Sequence, residues 1–224
     1  MHLGGDSRLS SYRLLWIALT AATVIGGLAG ARMLEAIKEP LPHFENPFDL
    51  SAGSAWYGGF LTATGLVTVL LLVWGVPVLR TLDLMVPSVC LGQVFGRVGC
   101  FLSGDGCFGV ATDVPWGVIL STSIFKNPVH PTPLYEAGSY LMIFFALLFL
   151  LQRRKKDGVV FASYAILAGT ARFLVEFLRV NPRIVLGLTE AQVISTFLIA
   201  SGLIILSLQA VKAKLNSAAG FSPL

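Results

Sequence analysis

The sequence predicts an all-α integral membrane protein of about six transmembrane helices, with an irregular loop region on the outer face of the membrane. Hydrophobic residues make up 55% of the 224 residues and charged residues only 12%, whereas soluble domains carry about a quarter charged residues. Apolar segments and short loops use nearly the whole chain, which predicts a single transmembrane domain over residues 1–224. The predicted helices are residues 14–34, 55–79, 82–99, 134–151, 159–178 and 191–211.

The distribution of basic residues predicts the orientation in the membrane. The net charge is +4, but the basic residues flank apolar segments, so they indicate topology and predict no nucleic-acid partner. Residues 153–156, Arg-Arg-Lys-Lys, lie between the fourth and fifth segments and should be cytoplasmic by the positive-inside rule. Both termini then lie in the cytoplasm, in a multi-pass protein of the inner (cytoplasmic) membrane type. The outer loops would be residues 35–50, 101–133 and 179–190.

The third segment is the least apolar of the predicted helices. It contains Asp83, Pro87, Gln93 and Arg97, so we expect it to be buried among the other helices rather than exposed to lipid. Cys90 in the same segment is expected to be a small buried residue.

Residues 96–109, GRVGCFLSGDGCFG, are the most informative stretch for function. An arginine closes a membrane segment, and a glycine-rich turn with an acidic residue follows. Glycines allow backbone N–H groups to point into a pocket, where they and Arg97 would hold an anionic group such as a phosphodiester. The alternative is a re-entrant turn in which Arg97 extends to the interface. Cys100 and Cys107 in this stretch either remain thiols or pair as a disulfide.

Residues 130–137, HPTPLYEA, read as the start of a helix near Leu134. Tyr135 and Glu136 would occupy its first turn, where the helix dipole favours a carboxylate. Taken alone, this pattern is typical of a helix cap and an interfacial anchor.

Residues 171–179, ARFLVEFLR, place charges deep in the fifth segment. Arg172 and Glu176 are four residues apart and share a helix face, and Arg179 lies one turn beyond. Because charge in lipid is costly, we expect a bundle-facing ion network. It would either serve a reaction or act as a structural salt bridge between helices.

These three stretches, in this order, resemble motifs of the bacterial prolipoprotein diacylglyceryl transferase family. The family's motifs are G-R-x-G-N-F-x-N-x-E-x-x-G, H-P-S-Q-L-Y-E and F-R-x-x-V-E-F-x-R. Residues 55–63, AWYGGFLTA, are similar to the family segment F-H-G-G-L-x-G, and residues 30–32 to its early G-G-R. The spacing of Asp83 and Pro87 before the signature arginine also matches the family, so the resemblance covers the chain from about Val24 onwards.

The resemblance implies a lipid transfer reaction without a cofactor or metal. A diacylglyceryl group would pass from phosphatidylglycerol in the bilayer to the cysteine thiol of a prolipoprotein lipobox peptide. Arg97 and Arg172 would clamp the phosphate, and Tyr57, Asp105 and His130 are the candidates for handling the proton. The expected substrate-binding residues are Arg32, Gly99, Ser103, Gly104, Gly109, Tyr135, Glu136, Glu176 and Arg179.

The sequence departs from the family pattern at the site itself. Cys100 and Ser103 stand where the family has asparagines, Asp105 takes the acidic position, and Tyr57 replaces a histidine. By the same comparison the chain begins about one membrane helix late. Tyrosine is a poor base at neutral pH, since its reference pKa is about 10. Two alternatives follow: a related transferase with another acceptor, or a non-catalytic membrane protein that binds or transports lipid.

Overall fold

The computed structural model describes residues 4–38, 56–104, 107–119, 127–154 and 156–218. It is helical throughout, apart from one small hairpin and isolated bridges in the loops. The helices are α1 (Gly4–Lys38), α2 (Trp56–Val73), α3 (Val78–Ser103), α4 (Thr132–Arg153), α5 (Val159–Val175) and α6 (Glu190–Ala218), and the strands are β1 (Arg183–Val185) and β2 (Leu188–Thr189).

The helices confirm the predicted all-α membrane fold. Stretches long and apolar enough to cross a bilayer occur in five of them: Arg13–Leu34, Val78–Ser103, Thr132–Arg153, Val159–Leu178 and Glu190–Leu215. The second predicted segment is a shorter apolar helix. The chain divides into two compact units, Met1–Val78 and Leu79–Leu224, which are described in turn.

In the first unit α1 and α2 pack through glycines. A Cβ atom at Gly30 would collide with the carbonyl oxygen of Gly58, and one at Gly58 with the carbonyl oxygen of Gly30. Such close backbone approach is what small residues provide between helices in lipid. The glycine-rich composition of the first segment therefore serves packing.

The predicted end of α2 at residue 79 is wrong, because the helix stops at Val73. Gly75 has a φ of +64°, and the N–H groups of Gly75 and Val76 donate to the carbonyls of Leu72 and Leu71 at 3.2 and 2.9 Å. This is the Schellman arrangement, in which a left-handed glycine closes a helix. Pro77 follows and cannot continue it.

In the second unit α3, α4 and α5 share a buried core. Its members are Val86, Cys90, Tyr140, Ile143, Leu147, Val160, Tyr164 and Ala168. Asp83 and Pro87 of α3 are buried, and Gln93 accepts a hydrogen bond from the Tyr164 hydroxyl at 3.0 Å. The expectation that the third segment as a whole is buried among the other helices is wrong, because apolar side chains elsewhere in the helix, such as those of Phe95 and Leu102, are exposed. The Cys90 thiol is buried and donates to the Tyr140 carbonyl.

Asp83 caps the N-terminus of α5 from a neighbouring helix. Its carboxylate accepts from the N–H groups of Gly158 and Phe161, both at 2.8 Å, and from Nη1 of Arg154 at 2.9 Å. The first N–H groups of a helix have no partner within it, so a buried carboxylate satisfies them and complements the dipole. Arg154 thus has a structural contact besides its place in the basic cluster.

The segment from residue 179 to residue 190, predicted as a loop, contains an antiparallel hairpin. β1 and β2 pair Arg183 with Thr189 and Val185 with Leu188. The intervening Leu186 and Gly187 both have positive φ, 49° and 77°, as in the type I′ turns of two-residue hairpins. Further bridges join Gly109 to Arg179 and Val129 to both Ala111 and Val118, which gives the predicted irregular loop region its order.

Candidate functional site

Glu136 is the centre of a buried ion cluster. Its Oε2 lies 2.5 Å from Nε of Arg97 on α3, and its Oε1 lies 3.0 Å from Nη1 of Arg172 on α5 and 3.4 Å from Nη1 of Arg179. The sequence predicted Glu136 in the first turn of a helix, as a substrate-binding residue. The helix in fact begins at Thr132, so Glu136 lies in its second turn and contacts arginines from two other segments.

Glu176 is the second carboxylate of the cluster. Its Oε2 lies 2.6 Å from Nη1 of Arg172 and 3.8 Å from Nε of Arg179, so the predicted pair four residues apart is formed. Its Oε1 accepts hydrogen bonds from Nδ2 of Asn181 at 2.5 Å and Oγ1 of Thr189 at 2.9 Å. A short 3-10 turn, Glu176–Leu178, ends α5 and places this carboxylate beneath the hairpin.

The cluster carries one excess positive charge when all five groups are ionised, since Arg97, Arg172 and Arg179 face Glu136 and Glu176. Both carboxylates have 0% exposed side chains, and the arginines are 22%, 15% and 10% exposed in the order given. Arg179 is therefore the most enclosed of the three.

Hydrogen bonding within the cluster is incomplete. Three buried atoms of the described residues make ionic contacts but no hydrogen bond of ordinary geometry. They are Oε2 of Glu136, Oε2 of Glu176 and Nε of Arg179. Arg97 contacts Glu136 through Nε. No contact in the described part of the chain engages its terminal nitrogens, whose N–H groups could donate in parallel to an oxyanion.

Beside the cluster, Tyr135 joins two loop residues. Nε1 of Trp116 donates to the Tyr135 hydroxyl at 2.7 Å, and Nδ1 of His130 lies 3.1 Å from the same oxygen. Because indole is only a donor, the hydroxyl oxygen must accept from Trp116. If Nδ1 of His130 carries the proton and also donates to this oxygen, Nε2 is left as an acceptor.

Backbone hydrogen bonds join the histidine segment to the arginine segment. The N–H of Gly109 donates to the carbonyl of His130 at 2.9 Å, and the N–H of Val110 donates to that of Leu178 at 2.8 Å. A Cβ at Gly109 would collide with the Leu178 carbonyl oxygen. Gly109 is therefore required for close chain packing, and its N–H is not available to hold an anion as the sequence suggested.

The glycine-rich turn begins later than predicted. α3 continues to Ser103, so Gly96 and Gly99 are helical residues. In an α-helix their N–H groups donate to the carbonyls four residues earlier and do not point into a pocket. Ser103 Oγ donates to the Cys100 carbonyl at 3.2 Å, and Gly104, with φ +66°, follows the helix end. No disulfide joins Cys100 and Cys107 in the described structure. Asp105 lies outside the described residues.

Two predicted site residues belong to the first unit. Arg32 lies on α1 and is half-buried, and Tyr57 lies in the first turn of α2, although its side chain is outside the described part of the structure. Their assignment to the site remains a prediction from the resemblance.

Three further residues, Trp116, Asn181 and Thr189, contact the site but were not predicted from the sequence. For Thr189 the sequence contains a recognisable pattern, Thr-Glu-Ala-Gln at residues 189–192. Thr189 and Gln192 exchange side chain to N–H bonds at 3.1 and 3.3 Å, which is the capping box of a helix N-terminus. For Trp116 and Asn181 no comparable pattern exists, because their partners are set by the folded loop.

Comparison with known proteins identifies the family. Residues 9–208 match the family described as prolipoprotein diacylglyceryl transferase. A phosphatidylglycerol–prolipoprotein diacylglyceryl transferase of Clostridium tetani is 38% identical over 83% of this chain and 77% of its own length. The protein of that name from Wolbachia sp. subsp. Brugia malayi is 34% identical, over 89% and 80%. Another, numbered 2, from Clostridium perfringens is 30% identical, over 87% and 79%. The chain therefore belongs to the prolipoprotein diacylglyceryl transferase family.

Proposed function

We propose that the chain transfers the diacylglyceryl group of phosphatidylglycerol to the cysteine thiol of a prolipoprotein lipobox peptide. Family membership and the names of the relatives support this reaction. The observation that carries the proposal is the buried Arg97–Glu136–Arg172 arrangement, in which arginines from two helices meet on one carboxylate.

The charge of the cluster suits a phosphodiester. Three arginines against two carboxylates give one excess positive charge, and the phosphodiester of phosphatidylglycerol carries one negative charge. Arg97 is oriented by a carboxylate at Nε, and no described residue contacts its terminal nitrogens, which have the geometry to donate to two phosphate oxygens.

The reaction increases the charge on the group that the cluster would hold. The thiol sulfur forms a bond to the glycerol carbon of the diacylglyceryl group, and the bond from that carbon to the phosphate oxygen breaks. The electron pair stays on the oxygen, so glycerol phosphate leaves with one more negative charge than the phosphodiester had. Donors fixed beforehand stabilise such developing charge more than they stabilise the substrate.

His130 is our proposed acceptor of the thiol proton. The carbonyl of His130 accepts from the N–H of Gly109, and Gly109 forms a backbone bridge with Arg179 of the cluster. The imidazole Nδ1 is oriented by the Tyr135 hydroxyl. Trp116 fixes that hydroxyl from the other side. In this arrangement Nε2 takes the proton as sulfur attacks. Asp105 and Tyr57 remain the other candidates from the sequence.

The orientation proposed from the sequence places the ion cluster at the outer end of the helices. Arg97 lies near the C-terminal end of α3, and Arg80 and the basic residues after α4 lie at the opposite ends of their helices. Residues 153–156 and both termini then lie in the cytoplasm. We place the protein, which crosses the bilayer several times, in the bacterial inner membrane.

Complementation tests this function in cells. The chain is expressed in a bacterium depleted of its own prolipoprotein diacylglyceryl transferase, and lipoproteins are analysed by mass spectrometry. We expect growth together with diacylglyceryl-modified lipoprotein. Stable expression in the membrane without modified lipoprotein would count against prolipoprotein as the acceptor.

A further inference from the structure

The tip of the β1–β2 hairpin is an exposed leucine in an unfavourable backbone conformation. Leu186 has a φ of +49° and is 96% exposed. Positive φ is uncommon for any residue with a side chain and is an outlier for a bulky one, whereas Asn and Gly adopt it readily. A leucine here gains nothing from protein packing, so the cause of its presence lies outside the described chain.

The surroundings of Leu186 are apolar as well. Ile184 is 59% exposed on β1, and Val180, at the base of the hairpin, is also exposed. Along the chain, the hairpin is preceded by Phe177 in the 3-10 turn and Leu174 at the end of α5, whose exposed side chains belong to a segment long and apolar enough to span the bilayer. The apolar hairpin therefore directly follows a membrane span with exposed apolar side chains.

The hairpin is restricted to the level of the membrane interface. It connects the spans Val159–Leu178 and Glu190–Leu215 directly, and its strands, of three and two residues, reach at most about 10 Å. Its base is fixed, because Asn181 and Thr189 donate to the Glu176 carboxylate. Because its base is fixed to the helices, the exposed tip is held at a constant depth relative to the bilayer.

A cation accompanies the apolar tip. Arg183 is exposed, and its Nη1 donates to the carbonyl of Gly187 at 3.2 Å, so the guanidinium lies across the turn. Apolar side chains beside a basic residue are typical of segments that insert into the headgroup region, where the cation meets lipid phosphate.

We propose that the hairpin around Leu186 inserts into the leaflet at this end of the bundle, with Leu186 and Ile184 among the acyl chains and Arg183 at the phosphates of anionic lipid. This inference stands on the membrane-spanning architecture and does not depend on the proposed reaction. Contact of the base with Glu176 links this insertion to the ion cluster, so the hairpin would set the depth of the cluster relative to the lipid phosphates.

Photocrosslinking tests the insertion directly. p-Benzoylphenylalanine is placed at Leu186 in the full chain, reconstituted in nanodiscs of phosphatidylcholine with or without phosphatidylglycerol, and lipid adducts are quantified by mass spectrometry. Phe145, exposed on the α4 span, is the positive control, and Asp113, in an exposed loop, is the polar control. We expect lipid adducts at 186 to approach the yield at 145 and to exceed that at 113 several-fold.

Two outcomes would overturn the proposal. One is a lipid yield at 186 no higher than at 113. The other is a preferred adduct with an added lipobox peptide or a second copy of the chain, which would make the tip a protein-docking surface.

A substitution provides an independent check on the turn. Leu186→Asn places at the turn a residue that tolerates positive φ and removes the apolar tip. We expect its Tm in detergent to equal or exceed that of the unsubstituted protein. A lower Tm would show that the leucine packs within the protein, contrary to the proposal.

Discussion

At the scale of single residues, the site consists of three arginines oriented by two buried carboxylates, Glu136 and Glu176. A buried carboxylate is costly unless it is paired, and Glu136 and Glu176 are both fully buried against arginines. Because each guanidinium has five donors, pairing at one edge leaves others for a ligand. The glutamates therefore position the arginines and also limit the cluster to one excess charge.

Proton transfer gives a testable prediction at this scale. With His130 as the base, the reaction should not depend on thiolate formed in solution, whereas without a base the rate should rise with pH toward the reference pKa of a thiol, about 8.5. His130→Ala should move the rise to higher pH and lower the rate at neutral pH about 100-fold. The measurement is a pH–rate profile with a lipobox peptide and phosphatidylglycerol.

Tyr57→His provides the comparison, because it restores the family's histidine at that position. If His130→Ala leaves the profile unchanged while Tyr57→His raises the rate, His130 is not the base. A different acceptor for the natural enzyme would then be favoured.

At the scale of elements, Asp83 connects α3 to the start of α5 through two N–H groups and Arg154. Removing one partner of a buried charge network leaves the other uncompensated, at a cost of about 3–5 kcal/mol. We expect Asp83→Ala to lower the Tm in detergent markedly. Asp157→Ala, at a half-exposed carboxylate that also contacts Arg154, should have little effect, as surface pairs contribute little. Equal Tm values for the two variants would exclude the capping role.

The helices were largely predictable because apolar length is a direct requirement of the bilayer. Their ends were less predictable. α2 stops at a Schellman glycine that the apolar run conceals, and α3 continues through Gly96 and Gly99 to Ser103 although glycine is a poor helix former. The pair Arg172 and Glu176 followed from helical spacing. The central position of Glu136 did not, since it depends on how three segments meet.

At the scale of the whole molecule, the orientation is testable by labelling. Cysteines introduced at Asp113 and Asp157, both exposed, should fall on opposite sides of the membrane. In intact cells we expect an impermeant thiol reagent to label position 113 and spare position 157, after subtraction of the reaction of the unsubstituted chain. The reverse pattern would invert the topology and place the ion cluster in the cytoplasmic leaflet.

The central claim is that the buried arginine cluster drives diacylglyceryl transfer, and a reconstituted assay tests it most directly. Purified protein in phosphatidylglycerol nanodiscs is incubated with a lipobox peptide, and the thioether product and glycerol phosphate are quantified by mass spectrometry. We predict both products in equal amounts. Arg97→Lys and Arg172→Lys should each lower the rate about 100-fold or more, whereas Arg80→Lys, exposed at the other end of α3, should not. Full activity in Arg97→Lys and Arg172→Lys, or no thioether from well-folded protein, would contradict the account.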